Sequence, residues 1–248
     1  MNSSSVHEAL ALNNEAVSLL QRNEDERAMQ NLMQSLGFFR DMLSATETPS
    51  SPEQAKGSSP LQPQHLNQCL SFVPLSGLKS QEMFVFDRAA LLNEKPALPS
   101  PSPSQPESSS SQFEAYCTEC CAAIILNIGL LFHRKSSSNV SLRGKAIKMY
   151  EMVLKLISSS CCVGNRNRPP RSGTLMTIHI AALNNIAQLT WSNGSYIDSS
   201  LVFQQLSAML ASEESLAIAQ VLDRHYVDGM VLNILQSSEN LGMAAPAA

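Results

Sequence analysis

Asn13-Asn14-Glu15-Ala16 returns further along the chain as Asn184-Asn185-Ile186-Ala187 and, less closely, as Leu126-Asn127-Ile128-Gly129. Around each copy the apolar residues recur at three- and four-residue steps, the period of an amphipathic helix. Each copy ends on a small residue, and a second segment with the same period follows it. Ala16 is followed twelve positions later by Ala28 and four after that by Leu32; Ala187 is followed by Ser199 and Phe203, and Gly129 by Ala146 and Tyr150. The longer step in the middle copy is taken up by Ser136-Ser137-Ser138, a loop whose extra length costs little closure entropy.

Working outward, His7 to Asn23 and Glu24 to Leu43 read as two antiparallel helices, a first pair over residues 6–43. Phe113 to Arg134 and Val140 to Ser158 form a second pair over 113–158, and the first of these helices is apolar nearly all round, which suits burial on more than one side. Thr174 to Trp191 and Tyr196 to Ala211 form a third, over 174–211, closed by the turn signal Asn193-Gly194. Glu214 to Gln236 carries Leu222, Tyr226, Met230 and Ile234 on one side, and is expected as a capping helix over 214–237, ahead of a disordered tail at 238–248.

Residues 44–112 have another character. Thr46 to Gln64 and Lys95 to Gln112 are rich in Pro and Ser and nearly devoid of large apolar side chains, so neither can bury enough surface to order itself. Between them, residues 69–75 and 82–88 are β-prone runs on either side of Ser76-Gly77 and fit a hairpin laid on the helices. A second polar stretch, 159–173, carries Pro169-Pro170 and links the second and third pairs.

Small residues where helices cross, with a bulky one on the second helix, give a pattern that resembles the tetratricopeptide repeat. The resemblance covers the three pairs; the early large residue of the family's motif stands here as Leu12, Ile125 and Leu183, and its terminal Pro is absent. It implies an all-α chain, an α-α superhelix of about three such hairpins plus the capping helix, interrupted by the Pro/Ser-rich insertion. It also implies a non-catalytic scaffold or adaptor that takes a peptide or helix on a concave wall. That wall would comprise Asn13, Val17 and Leu20, then Leu126, Leu130 and His133, then Asn184, Gln188 and Trp191. No lysines stand at these positions, so a clamp for a peptide carboxylate is not expected. Asn14, Asn127 and Asn185 recur on every inner helix, and bonds between neighbouring helices are their expected role, ahead of contacts to a ligand backbone.

Little else suggests chemistry. A net charge of −4 gives no overall attraction to nucleic acid or acidic lipid. The N-terminal residues carry no basic, apolar leader, and the most apolar run, Ala122 to Phe132, is shorter than the ~20 residues of a membrane span. A cytoplasmic or nuclear setting with reduced cysteines is therefore expected. Cys117, Cys120 and Cys121 could share zinc with Cys161 and Cys162, but small core packing suits such an apolar helix better. The five histidines have no metal spacing, and no phosphate loop or nucleophile elbow is present, so neither catalytic residue nor cofactor is assigned. Arg166, Arg168 and Arg171 form the densest basic segment. They carry the alternative of a helical-repeat protein that contacts RNA through a local loop, although no aromatics interleave them for base stacking. Five Ser/Thr-Pro steps, at Thr48, Ser51, Ser59, Ser100 and Ser102, offer sites for proline-directed phosphorylation.

Overall fold

A computed structural model describes residues 3–46, 70–78, 83–93, 107–159, 172–212 and 222–243. These residues form seven helices and one two-stranded sheet. In chain order they are α1 (Ser3–Gln21), α2 (Asp25–Thr46), β1 (Leu70–Pro74), β2 (Arg88–Leu92), α3 (Glu107–Lys135), α4 (Ser141–Ser159), α5 (Gly173–Ser192), α6 (Tyr196–Leu210) and α7 (Arg224–Met243). Helices α1 and α2, α3 and α4, and α5 and α6 pack as pairs; α2 leans on α3, α4 on α5 and α6 on α7. The chain is mostly helical, as the periodicity predicts.

The turns within the first and third pairs follow from residues that tolerate left-handed backbone. Asn23 has φ 62° and Gly194 φ 80°. Each lets the next amide return to a carbonyl in the last helical turn, Glu24 N to Leu19 O at 2.9 Å and Ser195 N to Thr190 O at 3.1 Å. Ser172 opens α5 by accepting a hydrogen bond from Leu175 N at 3.2 Å.

The predicted helix crossings are close. Ala16 and Ala187 are fully buried. At Gly129 a Cβ would stand 2.6 Å from Cε1 of Tyr150, so only glycine lets the α4 ring lie against α3. Two hydroxyls bond between the helices of a pair: Ser35 Oγ of α2 donates to Ala9 O of α1 and Ser199 Oγ of α6 to Ala187 O of α5, both at 2.7 Å. Helix α3 contains the segment Ala115–Lys135, long and apolar enough by composition to cross a membrane, but most of it is enclosed by α1, α2, α4, α5 and β2. At its end Arg134 pairs with Asp25 and donates to Leu20 O, which ties α3 to the first turn between helices.

Several boundaries differ from the sequence reading. The first pair spans 3–46, α3 begins at Glu107, inside the Ser-rich run expected to be disordered, and α7 continues to Met243 into the expected tail. Serine does not prevent a helix whose later turns carry so much buried apolar surface. The hairpin exists, and β1 falls where the first run does. Its partner is the next stretch along, however: Leu70 pairs with Leu92, Phe72 with Ala90 and Pro74 with Arg88, while Phe84 to Asp87 run extended ahead of the ladder. The aromatic run was the better strand former by propensity, but the backbone groups of Phe84 and Phe86 are taken by side chains of the helices.

Candidate functional site

Residues 84–92 run across α1, α3, α5 and α7, and asparagines of these helices hold their backbone. Four of them each make a two-point amide contact with one residue of the segment. Asn233 of α7 accepts from Phe84 N and donates to Phe84 O, both at 2.7 Å. Asn185 of α5 does the same to Phe86 at 2.9 and 3.0 Å, Asn127 of α3 to Ala90 at 2.8 and 2.9 Å, and Asn14 of α1 to Leu92 at 2.8 Å for both bonds. A side-chain carboxamide has one donor face and one acceptor face, so it completes a backbone residue much as a neighbouring strand would.

Two further asparagines link the four. Asn13 donates to Ala90 O at 3.0 Å and to Asn14 Oδ1 at 3.2 Å, and accepts from Asn127 Nδ2 at 3.0 Å. Asn184 donates to Phe84 O and to Asn185 Oδ1, both at 3.2 Å, and accepts from Asn233 Nδ2 at 2.9 Å. The doublets Asn13-Asn14 and Asn184-Asn185 therefore do the same work in two places, each completed by an asparagine from the next inner helix. Of the six, all but Asn14 are buried. In so dry a site an unmet amide would cost about 1–3 kcal/mol, which fixes the segment's register against the helices.

Side chains of the segment complete the fit. Phe86, Ala89 and Ala90 are fully buried and Leu92 nearly so. Phe86 meets Phe72 and Tyr226 edge to face at centroid distances of 5.9 and 5.5 Å. Phe84 rests on Gly229, where a Cβ would fall 2.5 Å from its ring. Arg88 lies 4.3 Å over the Tyr226 ring and pairs with Asp223 at 2.8 Å, and Tyr226 donates its hydroxyl proton to Asp87 at 3.0 Å.

Behind the groove, Asn185 also donates to Tyr150 Oη at 3.3 Å, and Tyr150 lies 3.2 Å from Nδ1 of His133. Burial holds His133 neutral, its pKa lowered to about 4, with Arg143 pushing the same way and Gln188 opposing. Burial likewise raises the Tyr150 hydroxyl above the ordinary tyrosine range. With Asn185 donating to it, the Tyr150 oxygen is free to give its own proton to the neutral imidazole.

The wall expected to face a partner is closed. Val17, Leu20, Leu126 and Leu130 are core residues, and Trp191 is buried with its ring 4.7 Å from Tyr196. Gln188 donates to Ser192 at 2.9 Å, and His133 faces Tyr150. Of the nine groove residues, Asn13 and Asn184 bond a polypeptide backbone, and it belongs to this chain. Asn14, Asn127 and Asn185 depart from their expected role in the same direction: their main bonds go to an extended segment, because that segment lies where only side-chain amides can satisfy its edge. Asn233 and the segment itself were missed. The clue was Leu232-Asn233-Ile234, which repeats Leu126-Asn127-Ile128.

Arg166, Arg168 and Arg171, Cys161 and Cys162, and the Ser/Thr-Pro steps lie outside the described residues. Cys117, Cys120 and Cys121 are buried thiols outside any disulfide, and burial raises the pKa of Cys120 and pushes that of Cys121 up to about 12. Thiols so hard to ionise are poor nucleophiles. Among the described residues no group of three His, Cys, Asp or Glu side chains is placed to hold a metal. The site thus lies in a mostly helical chain whose side-chain amides hold the backbone of one of the chain's own segments. No family model, curated protein or solved structure matches the sequence.

Proposed function

We propose that the chain is a non-catalytic, tetratricopeptide-like scaffold whose concave groove holds extended polypeptide, with its own residues 84–92 as the resident occupant. The observation that supports this is the asparagine row. Six carboxamides from four helices are aimed at the backbone of Phe84, Phe86, Ala90 and Leu92 or at one another, and a contact of that kind reads extension more than side-chain identity. The two alanines at the centre, Ala89 and Ala90, add little side-chain specificity of their own. Partners of this scaffold are proteins presenting an extended stretch with an aromatic or large aliphatic residue where Phe86 and Leu92 now sit.

The test weakens the occupant and leaves the groove intact. A full-length Phe86→Ala, Leu92→Ala variant should capture a labelled peptide with the sequence of residues 83–93 in trans, whereas the unaltered chain should capture far less. Adding Asn127→Ala and Asn185→Ala should abolish capture. A variant that keeps its helical circular dichroism yet ignores the peptide counts against the groove. Leu130, expected on the wall, offers no such test, because it is fully buried and its replacement by Asp would unfold the core.

A further inference from the structure

Helix α7 follows the same frame as the inner helices of the three pairs. Asn14, Asn127, Asn185 and Asn233 make the same two-point contact with the threaded segment. Two residues beyond each stand Ala16, Gly129, Ala187 and Leu235. The first three are buried, at the position where the second helix of the pair crosses. Leu235 is 54% exposed, and among the described residues no second helix lies over it. By position, α7 is the inner helix of a fourth pair, with no outer partner among the described residues.

The exposed face fits such a partner. Tyr226, Met230, Asn233 and Ser237 are buried on one side of α7. The opposite side carries Val231, Leu232 and Leu235, exposed by 40%, 64% and 54%, flanked by Arg224 and Asp228 toward one end and Glu239 at the other. A terminal helix serving only as a cap should present a polar outer face. Here the large apolar residues lie in its middle.

We propose that this face pairs with α7 of a second copy of the chain, antiparallel, about a twofold axis between Val231 and Leu232. Helices of a pair run antiparallel in this fold, and a twofold axis across a helix imposes that direction. In this register Val231 meets Leu232 of the other copy, Asp228, which lies 3.6 Å from Arg224 in its own helix, stands beside Leu235, and Arg224 lies opposite Glu239 at both ends, so the two ends of the stripe complement each other in charge. An isologous interface requires such self-complementarity. A bulky Leu235 is then appropriate where the other inner helices have Ala or Gly, since two identical helices each supply side chains to fill the gap. The surface is one helix wide, at the small end for protein interfaces, so the dimer should exchange with monomer.

Sedimentation velocity on the full chain over roughly 1–100 μM tests this, the range suited to a small interface. The unaltered chain should pass from monomer to dimer. Leu232→Asp with Leu235→Asp should stay monomeric with unchanged circular dichroism, since both side chains are exposed, and Met33→Asp, an exposed site on α2, should behave as the unaltered chain. Arg224→Glu should weaken association about tenfold through two symmetric repulsions, and adding Glu239→Arg should restore it. A chain that is monomeric throughout, a dimer indifferent to the leucine substitutions, or a charge-reversed pair no better than Arg224→Glu alone would each overturn the assignment. None of these outcomes bears on the groove, which lies on the other side of α7.

Discussion

Two glycines, Gly129 and Gly229, are each roofed by an aromatic ring, and the rings come from different kinds of neighbour. Over Gly129 lies Tyr150, from the next helix of the same pair; over Gly229 lies Phe84, from an extended segment far away in sequence. The first contact is local and repeated, with Ala16 and Ala187 in the same frame. The second is made once. Packing between helices of a pair is written in the chain as a period, whereas seating the threaded segment depends on a single long-range match.

The sharpest way to break the first contact is Gly129→Ala. The added Cβ would stand 2.6 Å from the ring of a Tyr150 that is fully buried and hydrogen-bonded, so the ring cannot swing aside. Destabilisation of about 3 kcal/mol is expected in urea unfolding, the upper part of the overpacking range. A second change, Tyr150→Leu, should recover part of it by removing the ring. If Gly129→Ala alone costs less than about 1 kcal/mol, the crossing is looser than the distance implies.

The same contrast explains what could be read in advance. The three pairs, their turns at Asn23 and Gly194 and their crossing residues follow from local periodicity and turn chemistry, which short windows record. The occupant of the groove does not. Asn14, Asn127 and Asn185 were visible as a recurring feature, but a carboxamide bonds a helix, a water or a strand equally well, and the choice depends on what lies across from it. Phe84 to Asp87 look like a strand by composition, yet the Phe84 and Phe86 amides pair with Asn233 and Asn185, and only Asp87, accepting from Leu75 N, meets the strand beside it. Asn233 lacked the following small residue that marked the others, and for that reason α7 read as a cap.

His133 links the first contact to the threaded segment. Its ring faces Tyr150 over Gly129, and Tyr150 in turn accepts from the Asn185 that holds Phe86. With a folded pKa of about 4 against an ordinary value of 6.5, the native state takes up the proton later than the unfolded chain as pH falls. Stability from this group is complete above pH 6.5, declines from there toward pH 4, and changes no further below that. The loss by pH 5 should be about 2 kcal/mol. A His133→Gln variant should lack that portion of the slope, and the difference between the two unfolding curves isolates it from carboxylates titrating nearby. If protonation reaches the groove, amide exchange at Phe86 should quicken over the same interval in the unaltered chain and not in the variant. Parallel slopes would mean that the imidazole is not held neutral.

Gly229→Ala should have the smallest effect, although its Cβ would approach the Phe84 ring as closely as 2.5 Å. Phe84 is only partly buried, and its ring can rotate outward while its backbone stays on Asn233 and Asn184. A cost of about 1 kcal/mol is expected, the low end of overpacking. The change should appear as faster exchange of the Phe84 amide, with protection at Ala90 unaltered, because Asn127 and Asn13 hold that residue independently. Equal loss of protection at Phe84 and Ala90 would instead make the segment one cooperative unit, released whole. In that case its seat on Gly229 would govern occupancy of the entire groove.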